Sequence, residues 1–238
     1  MKKVIITGAA GFVGSAVVKK LLSQGIEVLA IDILDNFNPM QNNADSSFKY
    51  KKCDISNLVE FKAILNGYPA DTFYHFAWVG SAGPLRESSE RQVANALLTV
   101  DMLKLAKELK CKKFVCAGTI MEYEVTSLTY GQHVNPQMSH IYGAGKQLAH
   151  SLCKSTANSI GIDLIWAYIT NAYGVGEKSP RLINTTIRKI LSGQQLLFSS
   201  GTQNYDFVYI DDVAQAFYLL GEKGIHNCGY IIGSGEAT

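Results

Sequence analysis

The chain has 238 residues, of which 47% are hydrophobic, and a formal net charge of +2. This length suits one α/β domain or a domain with a small appendage. The near-neutral charge gives no support for a nucleic-acid partner, and no apolar run is long enough to predict a membrane span or a signal peptide. We therefore expect a cytoplasmic protein that binds neither nucleic acid nor membrane. Five cysteines without C-x-x-C spacing and five scattered histidines predict reduced, mostly buried thiols and no metal site.

The first residues predict a strand, a glycine-rich turn and a helix. Residues 4–7 are an apolar run, three glycines follow at intervals of three, and residues 12–24 have helical periodicity. Gly8 suits a tight turn, Gly11 lets the backbone approach a pyrophosphate, and Gly14 allows close packing of helix on strand. The N–H groups at the start of the helix would face a phosphate. The alternative is a strand–turn–helix whose glycines serve the turn alone.

A second strand, predicted at residues 28–31, ends at an acidic residue. Asp32 follows Gly14 by 18 positions, close to where a carboxylate would bind the 2′-hydroxyl of an adenosine ribose. A carboxylate there repels a 2′-phosphate, and no arginine follows it. The sequence therefore favours NAD over NADP as the cofactor.

The rest of the chain continues the alternation of strands and helices. Further strands are predicted at residues 48–53, 72–77, 114–117 and 162–168, helices at 58–65, 91–109 and 142–159, and loops at 35–47, 80–89 and between Thr119 and Tyr142. This order predicts an α/β fold with a doubly wound, parallel Rossmann sheet. Ligands of such sheets bind at the carboxyl ends of the strands, where the glycine turn, Asp32 and Thr119 would meet.

Beyond residue 170 the pattern is less regular. It predicts helices at 182–191 and 211–220, a short apolar piece at 196–198 and a strand at 230–232. We predict an NAD-binding Rossmann domain at residues 1–170 and a small substrate-binding lobe at 171–238, interleaved with the last elements of the sheet. Because the chain stops at Thr238, directly after a glycine turn, this lobe is expected to be a short variant or an incomplete one.

Tyr142 and Lys146 form the second informative pattern. Residues four apart on a helix share a face. A free tyrosine, with a pKa of about 10, is a poor base at neutral pH, but a nearby ammonium favours the phenolate. Thr119, at the end of a strand, would hydrogen-bond a substrate oxygen. An ordinary amphipathic helix and a turn threonine are the plain alternatives for these residues.

With these motifs the chain resembles the extended short-chain dehydrogenase/reductase family, in its NAD-dependent epimerase/dehydratase group acting on nucleotide sugars. The resemblance implies catalysis by Thr119, Tyr142 and Lys146. It implies cofactor binding by Gly8, Gly11, Phe12, Val13, Gly14, Asp32, Asp54, Ile55, Phe76, Ala77, Trp78, Asn95 and Lys146, and substrate binding by Asn171, Arg181 and Gly80. It also implies a homodimer built from the helix at residues 95–109 and the helix that carries Tyr142.

Departures from the family pattern narrow the expected reaction. Ile120 and Met121 stand where the family's hexose 4,6-dehydratases carry Asp-Glu, and an apolar pair cannot protonate a leaving hydroxyl. Tyr168 and Tyr205 stand where the family often has arginines, which weakens the expected diphosphate contact. Lys178 or Arg181 would substitute for them, or be ordinary surface charges.

The sequence thus predicts an NAD-dependent oxidoreductase or epimerase acting on a nucleotide-activated sugar, with hydride transfer at C4 and Tyr142 as acid and base. A 4-ketoreductase is slightly favoured, because Glu122-Tyr123-Glu124 stands where epimerases have V-Y-G. A nucleotide-sugar 4-epimerase with tightly bound NAD is the alternative. A non-catalytic NAD(P)-binding regulator or scaffold is the alternative from another class.

Overall fold

A seven-stranded parallel sheet forms the centre of the molecule. The structure is a computed structural model that describes residues 1–37, 39, 46–132 and 135–236. Its strands are β1 (Lys3–Thr7), β2 (Glu27–Asp32), β3 (Phe48–Lys52), β4 (Thr72–His75), β5 (Lys113–Thr119), β6 (Asp163–Ile169), β7 (Asn171–Tyr173), β8 (Phe207–Tyr209) and β9 (Gly229–Ile232). Its α-helices are α1 (Phe12–Ser23), α2 (Leu58–Leu65), α3 (Ser89–Glu108), α4 (Met121–Tyr130), α5 (Ile141–Ile160), α6 (Leu182–Leu191) and α7 (Ile210–Lys223).

The strand order confirms the predicted fold class. The main sheet runs β3-β2-β1-β4-β5-β6-β9, and β7 pairs with β8 in a separate two-stranded sheet. All pairs in both sheets are parallel. The order reverses between β1 and β4, and the resulting crevice at the carboxyl ends of these strands is where doubly wound sheets bind ligands.

Both faces of the central strands are covered, which explains why β1, β2 and β6 contain continuous apolar runs. The edge strand β3, with three lysines, is an exception. Ile5 faces a core that includes residues of α2, α3 and α5, whereas its neighbours Val4 and Ile6 face a second core with α1 and α7. All three side chains are completely buried. The alternation of side chains along β1 therefore joins the two layers of helices through the sheet.

The prediction of a loop between Thr119 and Tyr142 is wrong for residues 121–130, which form helix α4. Its first flanking residue, Ile120, provides no side-chain cap. The helix is instead stabilised by its buried residues, Glu122 and Val125, on the side that packs against α5. Such tertiary contacts override weak local propensity. Residues 133–134 of the predicted loop lie outside the described residues.

The last part of the chain completes the main sheet. Strand β9 pairs with β6, and α7 packs against α1. The division at residue 170 stays a prediction. Residues 38 and 40–45 of the predicted loop at 35–47, and Thr238 itself, lie outside the described residues.

Four of the five cysteines are buried, as the sequence predicts. Cys53, Cys111, Cys116 and Cys153 lie in the core, Cys228 is exposed, and all five are free thiols. Burial is the main cause that raises the pKa of Cys111 and Cys116 to about 12. These two thiols therefore stay protonated at neutral pH. In the described part of the chain, none of the helices is long and apolar enough to cross a bilayer.

Candidate active site

The glycine turn between β1 and α1 is tightly packed. Gly8 has a φ of 70°, and a Cβ atom on it would lie 2.4 Å from the backbone nitrogen of Ala77. A Cβ atom on Gly14 would lie 2.1 Å from the carbonyl oxygen of Gly8. Gly11 precedes α1, whose first turn carries no acidic side chain. The positive end of this helix is thus open to an anion.

Asp32 is held at the carboxyl end of β2. Its Oδ2 accepts a hydrogen bond from the backbone N–H of Ala10 at 2.9 Å, and its Oδ1 accepts one from that of Ile33 at 2.8 Å. Oδ1 also accepts a hydrogen bond from the backbone N–H of Leu34 at 3.3 Å. A carboxylate oxygen has two lone pairs, so Oδ2, with one hydrogen bond, keeps acceptor capacity. The carboxylate therefore has the fixed position that binding of a ribose hydroxyl requires.

One large cleft brings most of the predicted site residues together. Its volume is about 680 Å³, within the range of small-molecule sites. The predicted residues that line it are Gly8, Gly11, Phe12, Val13, Gly14, Asp32, Asp54, Ile55, Phe76, Ala77, Trp78, Asn95, Thr119, Tyr142, Lys146 and Arg181. A second cavity of about 350 Å³ adjoins it and includes Asn171. We call these the main cleft and the second cavity.

Gly80 lines neither the main cleft nor the second cavity. Its carbonyl oxygen accepts a hydrogen bond from Gln92, and a Cβ atom on it would lie 2.6 Å from the carbonyl oxygen of Leu85. The close approach of two loop segments therefore explains why residue 80 is a glycine. Its contact with a substrate stays a prediction.

Buried polar side chains fix the wall of the main cleft next to β4. His75 Nδ1 lies 2.8 Å from the hydroxyl of Thr7, and its Nε2 lies 3.2 Å from the hydroxyl of Thr99. Burial first, and then the charge of Lys146, lower the pKa of His75 to about 3. The side chain of Asn95 both donates to and accepts from the backbone of Val79, at 2.7 and 3.2 Å. A neutral histidine and a bidentate asparagine thus hold this wall rigidly.

Lys146 is buried at the base of the main cleft, with 4% of its surface exposed. Its ammonium donates a hydrogen bond of 2.8 Å to the carbonyl oxygen of Ala117 and lies 3.7 Å from the ring centroid of Trp78. The aromatic face and the carbonyl stabilise the buried charge. Lys146 is therefore held beside the end of β5, since Ala117 precedes Thr119 by two positions on that strand.

Thr119 and Tyr142 lie where the two cavities meet, since both residues line both of them. The guanidinium of Arg86 lies 4.0 Å from the ring centroid of Tyr142. Arg86 belongs to a 3₁₀ turn, Pro84–Glu87, in the predicted loop at 80–89. Sequence reasoning missed this residue, because a single loop arginine has no spacing that indicates a function.

A buried carboxylate supports Thr119 from behind. Glu122 Oε1 accepts hydrogen bonds from the backbone N–H of Thr119 at 2.9 Å and from the indole N–H of Trp166 at 3.1 Å. Its Oε2 lies 3.4 Å from Nδ1 of His150, whose ring stacks on Trp166. His150 follows Tyr142 by eight positions on α5, so Glu122 connects the segment of Thr119 to the helix of Tyr142. In the sequence, Glu122 is notable only as a departure from V-Y-G.

We expect Glu122→Ala to lower the free energy of unfolding by about 2–4 kcal/mol, because it leaves two buried N–H donors without an acceptor. Glu122→Gln keeps an acceptor and should cost about 1 kcal/mol. Glu124→Ala, at an exposed position of the same helix, is the control and should change stability by less than about 0.5 kcal/mol. Urea unfolding measures all three. Equal stability of Glu122→Ala and Glu124→Ala would contradict the supporting role of Glu122.

Tyr168 and Tyr205, at positions where the family that the sequence resembles often has arginines, lie in different surroundings. The hydroxyl of Tyr168 lies 3.1 Å from Nδ1 of His150, and burial is the main cause that raises the pKa of Tyr168 to about 12. Tyr168 lines neither cavity, whereas Tyr205 lines the second cavity. Of the two replacement cations, Arg181 lines both cavities and Lys178 lines neither.

Comparison with known proteins agrees with this geometry. The model of the NAD-dependent epimerase/dehydratase family matches residues 4–233, and the chain belongs to this family. It is 28% identical over 235 residues to UDP-glucuronic acid decarboxylase 1 of Xenopus tropicalis, covering 94% of the chain and 54% of that protein. It is 28% identical to UDP-glucuronate 4-epimerase of Thermodesulfobacterium geofontis, covering 89% of the chain and 69% of that protein.

A solved structure also matches the whole fold. The UDP-glucuronic acid 4-epimerase of Bacillus cereus, in complex with NAD, superposes with a TM-score of 0.79 at 26% identity, over 99% of this chain and 79% of that one. The family assignment confirms the predicted resemblance to a family of NAD-dependent enzymes. The chain spans about half the length of the decarboxylase, so its activity and substrate are matters for proposal.

The described residues fit NAD. The main cleft joins a glycine turn too crowded for a Cβ atom, a helix start without acidic side chains and a fixed carboxylate at the end of β2. These features suit a pyrophosphate and an adenosine ribose.

Proposed function

We propose that this protein is an NAD-dependent enzyme that transfers a hydride at C4 of a nucleotide-activated sugar. The observation that carries the proposal is the position of Thr119, Tyr142 and Lys146 in the cleft that also contains the glycine turn and Asp32. The relatives' names support a nucleotide-sugar substrate, since both act on UDP-linked sugars.

The proposed mechanism assigns each side chain one task. Bound NAD would supply the hydride acceptor and, when reduced, the hydride donor. Tyr142 removes the proton of the C4 hydroxyl during oxidation and returns it to the C4 oxygen during reduction. Lys146 would hold the nicotinamide ribose from its fixed place in the same cleft, and Thr119 donates a hydrogen bond to the reacting oxygen.

The apolar pair Ile120-Met121, directly after Thr119, supports redox chemistry without elimination of water. Ile120 and Met121 flank the second cavity and have no side chain that could protonate a leaving hydroxyl. Glu122-Tyr123-Glu124, in place of the V-Y-G of epimerases, favours a 4-ketoreductase. The hydrogen bonds of Glu122 to Thr119 and Trp166, however, explain a glutamate at this position by its structural role. The 4-epimerase relatives give a specific reason to keep epimerisation as the second candidate.

The test is incubation with UDP-, dTDP-, CDP- and GDP-hexoses and their 4-keto forms, with NADH absorbance and product identity measured together. A 4-ketoreductase consumes NADH, whereas a 4-epimerase changes the sugar without net change in NADH. If NADH binds but no sugar is bound or converted, the non-catalytic alternative replaces this proposal.

The predicted homodimer also stays a prediction. It would use α3 and α5, which expose the apolar side chains of Val93, Leu97, Leu148 and Leu152.

A further inference from the structure

Arg86 is a half-buried cation that forms no ion pair with a carboxylate of the described residues. Within the described ranges, no carboxylate lies within 4.0 Å of its nitrogen atoms. Burial lowers the pKa of Arg86 and the charge of Arg181 lowers it further, while Tyr142 and Glu124 act in the opposite direction. An arginine nevertheless remains charged in a protein. At the second cavity its close contacts are therefore with an aromatic ring and neutral dipoles, and the charge of Glu124 acts on it from beyond 4.0 Å.

The turn that carries Arg86 is held in place. Its Nη1 donates a hydrogen bond of 2.7 Å to the carbonyl oxygen of Ser81, and its Nη2 contacts the sulfur of Met121. Gln92 on α3 donates hydrogen bonds to the carbonyl oxygen of Gly80, which precedes the turn, and to that of Leu85, which lies within it. The guanidinium is thus fixed before a ligand arrives, which reduces the entropy lost on binding.

The position of Arg86 restricts which anion it can meet. Because its guanidinium lies over the ring of Tyr142, an anion bound to it lies next to the sugar atom that Tyr142 would deprotonate. On a hexose that reacts at C4, the substituent of C5 is adjacent to this atom, whereas the diphosphate on C1 is across the ring. A carboxylate at C6 fits this place better than a phosphate does.

We propose that Arg86 binds the carboxylate of a nucleotide-linked uronic acid and so makes this enzyme specific for acidic sugars. This inference rests on the proposed function. A planar guanidinium matches a carboxylate with two parallel hydrogen bonds, which a lysine ammonium does not. Arg181, at the exposed start of α6, stays available for another part of the substrate.

The experiment is calorimetric titration of the NAD-loaded protein with matched pairs, UDP-glucuronate with UDP-glucose and GDP-mannuronate with GDP-mannose. The wild-type protein should bind the acidic member of one pair more tightly. Arg86→Met should weaken that binding by about tenfold to a hundredfold and leave the neutral member nearly unchanged. Arg86→Lys should recover only part of the loss. Lys19→Met, at an exposed position of α1, is the control for loss of one charge.

Two results would overturn the inference. If Arg86→Met weakens binding of the acidic and the neutral member equally, Arg86 binds the diphosphate and not the sugar carboxylate. If the wild-type protein does not prefer the acidic member of either pair, it has no site for a sugar carboxylate. Absence of binding by all four sugars, together with no conversion of any nucleotide sugar in the panel described above, contradicts the proposed function itself. That outcome is distinct, because the neutral members would bind if only the inference were wrong.

Discussion

Replacement of Tyr142 by phenylalanine is expected to lower kcat by about 10²–10⁴-fold, because it removes the group that would transfer the proton while leaving the ring in place. NADH affinity should stay within about threefold of the wild type, since the described contacts of the glycine turn and Asp32 do not involve the Tyr142 hydroxyl. Turnover of a sugar identified in the substrate panel gives kcat, and fluorescence titration gives the affinity for NADH.

The control for this substitution is Tyr130→Phe. Tyr130 is 83% exposed at the end of α4, so loss of its hydroxyl should leave turnover unchanged. If Tyr142→Phe retains turnover within about tenfold of the wild type, another group transfers the proton and the mechanism must be revised.

Gly8→Ala is expected to destabilise the protein by roughly 2–5 kcal/mol and to weaken NADH binding by more than about tenfold. Two effects add here. The φ of 70° disfavours a side chain, and the new Cβ atom would lie 2.4 Å from the backbone nitrogen of Ala77. The turn and the neighbouring strand end would have to separate in the main cleft.

Gly25→Ala isolates the effect of placing a side chain at a positive φ. Gly25 has a φ of 73° but no atom within 4 Å of the position of a Cβ atom. This variant should lose only about 1–2 kcal/mol and should bind NADH like the wild type. Urea unfolding and NADH titration compare the two variants. Identical behaviour of both would show that the crowding at Gly8 is unimportant for the cofactor.

The centre of the main sheet could be predicted from the sequence because strands such as β1, β2 and β6 are buried on both faces. Each of them contains an apolar run that can be recognised without knowledge of its neighbours. The glycine spacing and Asp32 are likewise local patterns, and the structure brings them into one cleft with Tyr142 and Lys146.

Helix α4 and Arg86 could not be predicted, because contacts distant in sequence determine both. Glu122 is buried by Trp166, which lies 44 residues away, so its burial leaves no periodic signal in the local sequence. Arg86 acquires its place over Tyr142 from a turn fixed by Gln92. A charged residue in a polar loop gives no sign of such a position.

The two tryptophans of this chain differ in their exposure to a ligand. Trp166 is enclosed in the core with its indole N–H bonded to Glu122, whereas Trp78 forms part of the main cleft beside the Lys146 ammonium. Tryptophan emission overlaps the absorption band of NADH, so energy transfer from Trp78 would quench its fluorescence when the cofactor enters. The protein thus carries its own optical reporter of cofactor occupancy, and Trp166→Phe would leave Trp78 as the only tryptophan of the chain.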